Sequence, residues 1–174
     1  MGIQFETDYN METLTAMAKS LRKTVRKKRS RRVHIFAAVV LVLGLLTILA
    51  TTAGGEPLGA SGVVTLLAML VVILVSLFED KLNAWFARKR LLPGTEHAAA
   101  TFEEDGYVSA TGVTESRFSY AQIVAVAETA RYFVFALSSH HTQAYDKRTI
   151  RGGSVEDFRA FIAEKTGKPI ANIK

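Results

Sequence analysis

Residues 33–53, VHIFAAVVLVLGLLTILATTA, decide the fold of this 174-residue chain together with residues 61–78, SGVVTLLAMLVVILVSLF. The first stretch carries no formal charge, and the second contains no ionisable side chain. At about 1.5 Å of helical rise per residue, each stretch is close to the roughly 30 Å thickness of a bilayer hydrocarbon core. A buried helix of a soluble protein would offer a polar face to water, and a signal peptide would be shorter, with no second span. We therefore predict two transmembrane helices.

Basic residues are concentrated at the outer flanks of these two stretches. Residues 1–32 hold nine Lys or Arg against three acids, residues 33–90 hold four against three, and residues 91–174 hold nine against ten. The connection at 54–60 carries Glu56 and no basic residue. Cytoplasmic flanks of membrane helices carry the excess of Lys and Arg, which predicts cytoplasmic termini and an external turn. The residues expected to orient and anchor the hairpin are Arg26, Lys27, Lys28, Arg29, Arg31, Arg32, Trp85, Arg88, Lys89 and Arg90.

The composition excludes several classes of protein. Hydrophobic residues make up 49% of the chain and charged residues 22%, which is incompatible with disorder. The absence of cysteine excludes disulfides, thiolate metal sites and cysteine nucleophiles. The basic run at 19–32 contains no aromatic residue, unlike a nucleic-acid-binding face, on which basic residues spread over a folded surface. We therefore expect the lipid bilayer as a partner, and neither nucleic acid nor a cofactor.

Short segments flank the predicted hairpin. Residues 3–9 alternate in polarity as a strand does, and a lone strand cannot satisfy its backbone groups, so we predict that it joins the C-terminal sheet. Apolar residues then recur at helical spacing, which predicts a basic juxtamembrane helix running unbroken into the first span and completing the cytoplasmic segment 1–32. The second span is predicted to continue as an interfacial helix over 79–93, with Trp85 at the headgroup level and Pro93-Gly94 at its end.

Residues 94–174 alternate short β-like runs with turn signals. Asp105-Gly106 predicts a hairpin between 98–104 and 107–111. Further strands are predicted at 115–120, 123–128, 131–138 and 142–146, with the apolar run at 131–138 as a central strand. A terminal helix is predicted at 154–166, capped by Ser154 and stopped by Gly167. The predicted fold class is an α+β membrane protein in which a transmembrane hairpin precedes a β-roll or partly open barrel capped by one helix.

Three stretches of this C-terminal part resemble the YcxB-like family of bacterial membrane proteins. They are TFEEDGYVSATGVTESRFSYAQIVAVAE at 101–128, RYFVFALS at 131–138 and AYDKRTIRGGSVEDFRAFIAEKTG at 144–167. The family pattern has an aromatic residue shortly before an isoleucine, then a Lys-Arg pair leading into a helix. Here the matching residues are Tyr120, Ile123, Lys147, Arg148 and Phe158. The resemblance implies a pleckstrin-homology-like (PH-like) fold for residues 94–174 and a bacterial inner-membrane location, and it brings no established activity.

Few residues offer catalytic or metal chemistry. The adjacent pair His140-His141 points to opposite faces of a strand end, whereas zinc requires three or four converging ligands. Ser138-Ser139 lies beside His140 without a nucleophile-elbow sequence. Gly152-Gly153 precedes a helix N-terminus, where anions bind, but no Walker lysine follows. We therefore predict no enzyme, no catalytic or metal site and no small-molecule substrate.

Three functional hypotheses follow. The leading hypothesis is a non-enzymatic, membrane-anchored cytoplasmic PH-like module that binds a protein partner or self-assembles, because sheet edges accept added strands. The alternative is an anionic-lipid-sensing module in which Lys147, Arg148 and Arg151 bind headgroups, although the same three residues also fit solvated loop charges. A membrane-embedded enzyme or transporter is disfavoured, because the spans contain no acidic or strongly basic residue.

Overall fold

The computed structural model describes residues 2–55 and 57–174, so the charge expected at Glu56 of the external turn lies outside the described residues. This part of the chain forms a mixed α+β structure of five helices and eight strands. The helices are α1 (Met11–Lys23), α2 (Lys27–Ala53), α3 (Ala60–Leu77), α4 (Glu79–Lys89) and α5 (Val155–Thr166). The strands are β1 (Ile3–Asp8), β2 (His97–Phe102), β3 (Tyr107–Thr111), β4 (Glu115–Phe118), β5 (Ala125–Glu128), β6 (Tyr132–Ala136), β7 (Thr142–Asp146) and β8 (Ile170–Asn172).

Helices α2 and α3, here called the apolar hairpin, are long and apolar enough to cross a membrane. The two helices contact each other, yet within the described ranges neither of them buries a residue. Phe36 and Leu77, for example, are 70% and 72% exposed. Core helices of a soluble protein are buried, so α2 and α3 are not core helices in this structure. An apolar surface of this size needs a bilayer or another protein around it.

The helix before the apolar hairpin does not run unbroken into it, so that prediction was wrong. Thr24 leaves the helical region, with φ −108° and ψ −91°. Its hydroxyl donates to the Ser20 carbonyl at 2.7 Å, and the Arg26 N–H donates to the Leu21 carbonyl at 2.9 Å. These bonds satisfy carbonyls at the C-terminal end of α1 in a turn, and a new helix begins at Lys27. The basic residues 27–32 therefore belong to α2 itself.

The second apolar helix continues almost directly into α4. Phe78 alone separates them; its N–H donates to the Leu74 carbonyl and its carbonyl accepts from the Leu82 N–H, both at 2.9 Å. Helix α4 ends at Lys89, four residues before Pro93, so it is shorter than the predicted helix over 79–93. Helix α4 packs along α1, so the chain enters and leaves the apolar hairpin through one helix pair.

Strand β1 joins the C-terminal strands although the apolar hairpin separates them in sequence. It pairs antiparallel with β2 in a sheet of order β1-β2-β3-β4, which confirms the predicted pairing of residues 3–9. Gln4 and Arg151 exchange two backbone hydrogen bonds, of 2.9 and 3.0 Å, which attach β1 to the segment before α5. Gly152 has φ +82°, and a Cβ there would lie 2.5 Å from the Gly2 carbonyl oxygen. Only glycine allows this approach.

The second sheet has the order β7-β6-β5-β8, with β8 parallel to β5. The apolar strand β6 lies inside this sheet, as the sequence predicts. Helix α5 begins after Ser154, whose hydroxyl accepts from the Asp157 N–H at 3.0 Å, and ends at the left-handed Gly167, as predicted. Strand β8 was not predicted, because it is three residues long and follows Pro169 directly.

The segment after β4 differs from the prediction of a strand through Tyr120. Strand β4 ends at Phe118, and Tyr120–Gln122 forms a short 3-10 turn. The Gln122 side chain accepts from the Ser119 N–H at 3.1 Å, and this local capping bond replaces the sheet ladder. Within the turn, the Tyr120 hydroxyl donates to the Gly106 carbonyl at 2.9 Å. This hydrogen bond therefore holds the turn against the connection between β2 and β3.

The two sheets and α5, here called the β domain, enclose an aromatic core. Phe5 of β1 lies at its centre, with its ring centroid 4.6 Å from that of Phe158 and 5.7 Å from that of Phe102. The other core rings, each at most 3% exposed, are Tyr107, Phe133, Phe135 and Tyr145. The opposite face of the β5–β8 sheet packs against Ala16 and Met17 of α1. Helix α1 thereby connects the β domain to the apolar hairpin.

Candidate functional site

Lys147, one of the three predicted binding cations, lies in an ion-pair cluster of the β domain. Its side chain is 14% exposed, and its ammonium lies 3.0 Å from Glu128 Oε1 and donates to the Thr129 carbonyl at 2.7 Å. Arg159 of α5 donates twice to the same carboxylate, at 2.8 Å each. The hydrogen bonds from Arg159, reinforced by those from Lys147, hold the pKa of Glu128 below its ordinary value. Lys147 therefore neutralises a buried acid.

Arg148 and Arg151, the other two predicted cations, lie on the surface and also face carboxylates. The Arg148 side chain is 65% exposed and lies 3.0 Å from Asp146 Oδ2. The Arg151 side chain is 69% exposed and lies 3.4 Å from Glu6 Oε1. Each predicted cation thus lies beside a carboxylate, although Glu128 also pairs with Arg159 and Asp146 also pairs with Arg131.

The predicted anchoring residues occupy the two outer ends of the apolar hairpin. Those at the start of α2 and at the end of α4 are exposed: Lys27, Lys28, Arg29, Arg31, Arg32, Arg88, Lys89 and Arg90. Trp85 is 43% exposed, stacks edge-on with Phe86, and lies 3.7 Å below the Lys89 ammonium. This exposed aromatic and basic face of α4 has the composition typical of a membrane interface.

Arg26 differs from the other anchoring residues because it contacts the β domain. Its Nε donates to the Ser139 carbonyl at 2.6 Å, and its guanidinium lies 2.9 Å from His140 Nδ1. The Ser138 hydroxyl accepts from the N–H groups of His140 and His141 in the same turn. These serines and histidines therefore stabilise a loop, and no three metal-ligating side chains converge anywhere in residues 2–55 and 57–174.

A polar joint that the sequence did not predict connects α1 to α4. Arg22 donates to both carboxylate oxygens of Asp80, at 2.7 and 2.6 Å, and lies 3.8 Å from Glu79. His34 Nε2 lies 3.7 Å from Glu79 across the base of the apolar hairpin. Beside this joint Ala84 is fully buried in the helix pair. A bidentate pair of this kind fixes the relative rotation of the two helices.

A groove of about 930 Å³, here called the α1 groove, runs between α1 and the β5–β6 turn. Met11 and Ala16 of α1 line one wall, and the nearly buried Tyr132 and Ile173 line the opposite side. Five cationic side chains line it: Lys19, Lys81, Arg131, Lys147 and Lys174.

The cations of the α1 groove differ in whether they are already neutralised. Arg131 pairs with Glu12 and Asp146, and Lys147 pairs with Glu128. In the part of the chain that the structure describes, neither Lys19 nor Lys81 forms an ion pair. These two lysines lie on α1 and α4, at the end of the groove next to the apolar hairpin. Lys174, the fifth cation of the groove, also forms no ion pair among the described residues, so Lys19 and Lys81 are the two unpaired lysines on the helices next to the apolar hairpin.

Strand β4 is an open edge of the first sheet. Among the described residues it pairs with β3 alone. Glu115, Ser116 and Arg117 are all exposed, and alternation along the strand places Glu115 and Arg117 on one face. Arg117 also lies 2.8 Å from Glu103, in a pair with both side chains about half exposed or more. An open edge of this kind accepts another strand.

A match to a protein family covers most of the β domain. Residues 102–162 match the YcxB-like protein family. The match begins at the last residue of β2 and ends within α5. It confirms the resemblance for residues 102–162, here called the YcxB-like segment. Strand β1, the apolar hairpin and helices α1 and α4 precede it. No curated protein and no solved structure matches the chain.

The YcxB-like segment contains Lys147 and Arg148 but neither Lys19 nor Lys81. The open edge β4 lies wholly inside it, whereas the α1 groove is built from both the segment and the helices that precede it. The two candidate surfaces share no residue.

Proposed function

We propose that this chain is a non-enzymatic, membrane-anchored module whose PH-like domain lies at the cytoplasmic face of a bacterial inner membrane. Its function is association with a second copy of itself through β4. The single observation that carries this proposal is the open, exposed edge of β4, which has charges of both signs.

The membrane part of the proposal is supported by the exposed surface of the apolar hairpin and by its flanks. The basic residues at the start of α2 and the end of α4 lie on one side of the hairpin, as the excess of cations on cytoplasmic flanks requires. The PH-like part is supported by the arrangement of two antiparallel-rich sheets around one core with α5 packed against it. The Ser138 hydroxyl is occupied by hydrogen bonds within its loop and the His140 ring faces Arg26, which favours binding over catalysis.

The charges of β4 are complementary to those of a second β4. If two copies pair antiparallel about Ser116, Glu115 of each copy lies opposite Arg117 of the other. Each such cross-strand pair stabilises a sheet by roughly 0.2–1 kcal/mol. A two-fold contact of this kind closes on itself and yields a dimer, in which both open edges are covered.

The natural absence of cysteine makes this dimer testable in the full-length protein in native membranes. Ser116→Cys places a thiol at the two-fold axis, and we expect a disulfide-linked dimer under mild oxidation. Ser109→Cys is the matched control, because Ser109 lies opposite Ser116 on the interior strand β3 and is one strand further from the axis. Crosslinking of S116C is expected to exceed that of S109C severalfold.

A charge exchange in the S116C background tests the pairing itself. Glu115→Arg is expected to reduce the dimer about fivefold, because both cross-strand pairs are lost, and adding Arg117→Glu is expected to restore it. Glu103 is half exposed, so water screens it from the new acid at 117. Equal crosslinking of S116C and S109C, or capture of a different protein at S116C, would overturn the dimer.

A further inference from the structure

We propose that the α1 groove binds one anionic phospholipid of the surrounding membrane, with its phosphate between Lys19 and Lys81. This site goes beyond the proposed dimer and shares no residue with β4. It also differs from the surface expected from the sequence, since Arg148 and Arg151 do not line the groove.

The phosphate position follows from the two unneutralised lysines that lie next to the apolar hairpin. Lys19 is half-buried and Lys81 exposed, and within residues 2–55 and 57–174 no carboxylate pairs with either. The Lys81 ammonium lies 5.7 Å from the Phe78 ring, close to where the second apolar helix ends. Two unpaired cations at one end of a groove attract an anion, whereas the paired Arg131 and Lys147 add little.

The apolar lining selects an amphiphile rather than a free anion. From Lys19 the groove follows α1 back to Met11, eight residues or about 12 Å along the helix. Ala16, Tyr132 and Ile173 contribute carbon surface along this length. A site for phosphate alone would surround it with donors, whereas this lining suits glycerol and the first part of an acyl chain.

The location of the two lysines identifies the lipid source as the membrane itself. Lys81 lies four residues after the end of α3, about 6 Å along the helix axis. Trp85, one turn further on, is exposed at the expected depth of the headgroups. A phospholipid headgroup of the same leaflet is therefore within reach of the groove, and the part of the lipid that enters the groove follows α1 toward Met11.

Native mass spectrometry of the full-length protein in mild detergent tests this site. We expect the wild type to retain one phosphatidylglycerol per chain in preference to phosphatidylcholine from an equal mixture. The double variant K19Q/K81Q is expected to weaken this retention about 30-fold, from about fivefold for each membrane-proximal lysine. The matched control is K27Q/K28Q, which removes the same charge from exposed positions of α2 outside the groove and should retain the lipid.

A second variant fills the groove without changing its charge. Ala130 is exposed in the β5–β6 turn and lines the groove, so Ala130→Trp should displace the lipid while the fold is kept. Glycerol phosphate at millimolar concentration should not displace it. Equal loss in K19Q/K81Q and K27Q/K28Q, full retention in A130W, or displacement by glycerol phosphate would each overturn the site. Crosslinking of S116C in these variants reports separately on the dimer.

Discussion

Replacing Phe5 with alanine is expected to lower the free energy of unfolding of the β domain by about 3–5 kcal/mol. Phe5 is 1% exposed and contacts the rings of Phe102, Tyr145 and Phe158. Its removal leaves a cavity at the point where β2, β7 and α5 meet. A loss of this size is a large share of the stability of an ordinary domain, so F5A should be mostly sensitive to protease at 37 °C.

Limited proteolysis and thermal unfolding of the full chain in detergent measure this effect. Phe36→Ala is the matched control, because the same atoms are removed from a side chain that is 70% exposed on α2. Deleting residues 1–9 should reproduce the F5A result, since it removes β1 altogether. Equal protease resistance of F5A and F36A would show that β1 does not stabilise the β domain.

Glu128→Gln is expected to cost about 3 kcal/mol, because it leaves the nearly buried ammonium of Lys147 without a carboxylate. Arg159, 40% exposed, reaches water and adds less to the loss. The double variant E128Q/K147M should recover most of the stability, since it removes the uncompensated charge. Denaturant unfolding of the two single variants and the double variant gives the coupling free energy, and additive losses would contradict the pairing.

The same pair predicts how stability depends on pH. Hydrogen bonds from Arg159 and Lys147 lower the pKa of Glu128 in the folded state. Its contribution is therefore fully present above the unfolded-state pKa of about 4.5 and is lost as the pH falls through the folded-state value. The stability gap between wild type and E128Q should be constant near neutral pH and close in acid. If the stability difference between wild type and E128Q persists in acid, the destabilisation comes from altered side-chain packing rather than from the lost charge.

The sequence predicts the elements of the fold better than their contacts. The apolar runs, the Asp105-Gly106 hairpin and the Ser154 cap are local signals, and the corresponding elements form where they are expected. The break at Thr24 was missed because apolar spacing continues through it, and a threonine alone does not mark a break, since Thr47 forms the same hydroxyl bond inside the unbroken α2. Strand β8 was missed because three residues carry no periodicity.

The candidate sites depend on long-range contacts, which the sequence does not encode locally. Lys147 and Arg148 are neighbours in the chain, yet one neutralises the buried Glu128 and the other lies on the surface. Lys19 and Lys81 line one groove, although the whole apolar hairpin separates them. The one signal in the sequence was that predicted helices flank the apolar hairpin on both sides. Because the two helices of the hairpin pack against each other, α1 and α4 are brought together.

The pairing of β1 with β2 restricts how the chain can thread a bilayer. Two hydrogen-bonded strands lie on the same side of any membrane, so a membrane-spanning segment between them would have to cross it an even number of times. A molecule in which one apolar helix failed to insert would hold Phe5 on the opposite side from Phe102, and the aromatic core could not assemble. For the membrane-anchored arrangement proposed above, completion of the sheet would therefore require both apolar helices to be inserted, and misthreaded molecules would stay unfolded and accessible to proteases.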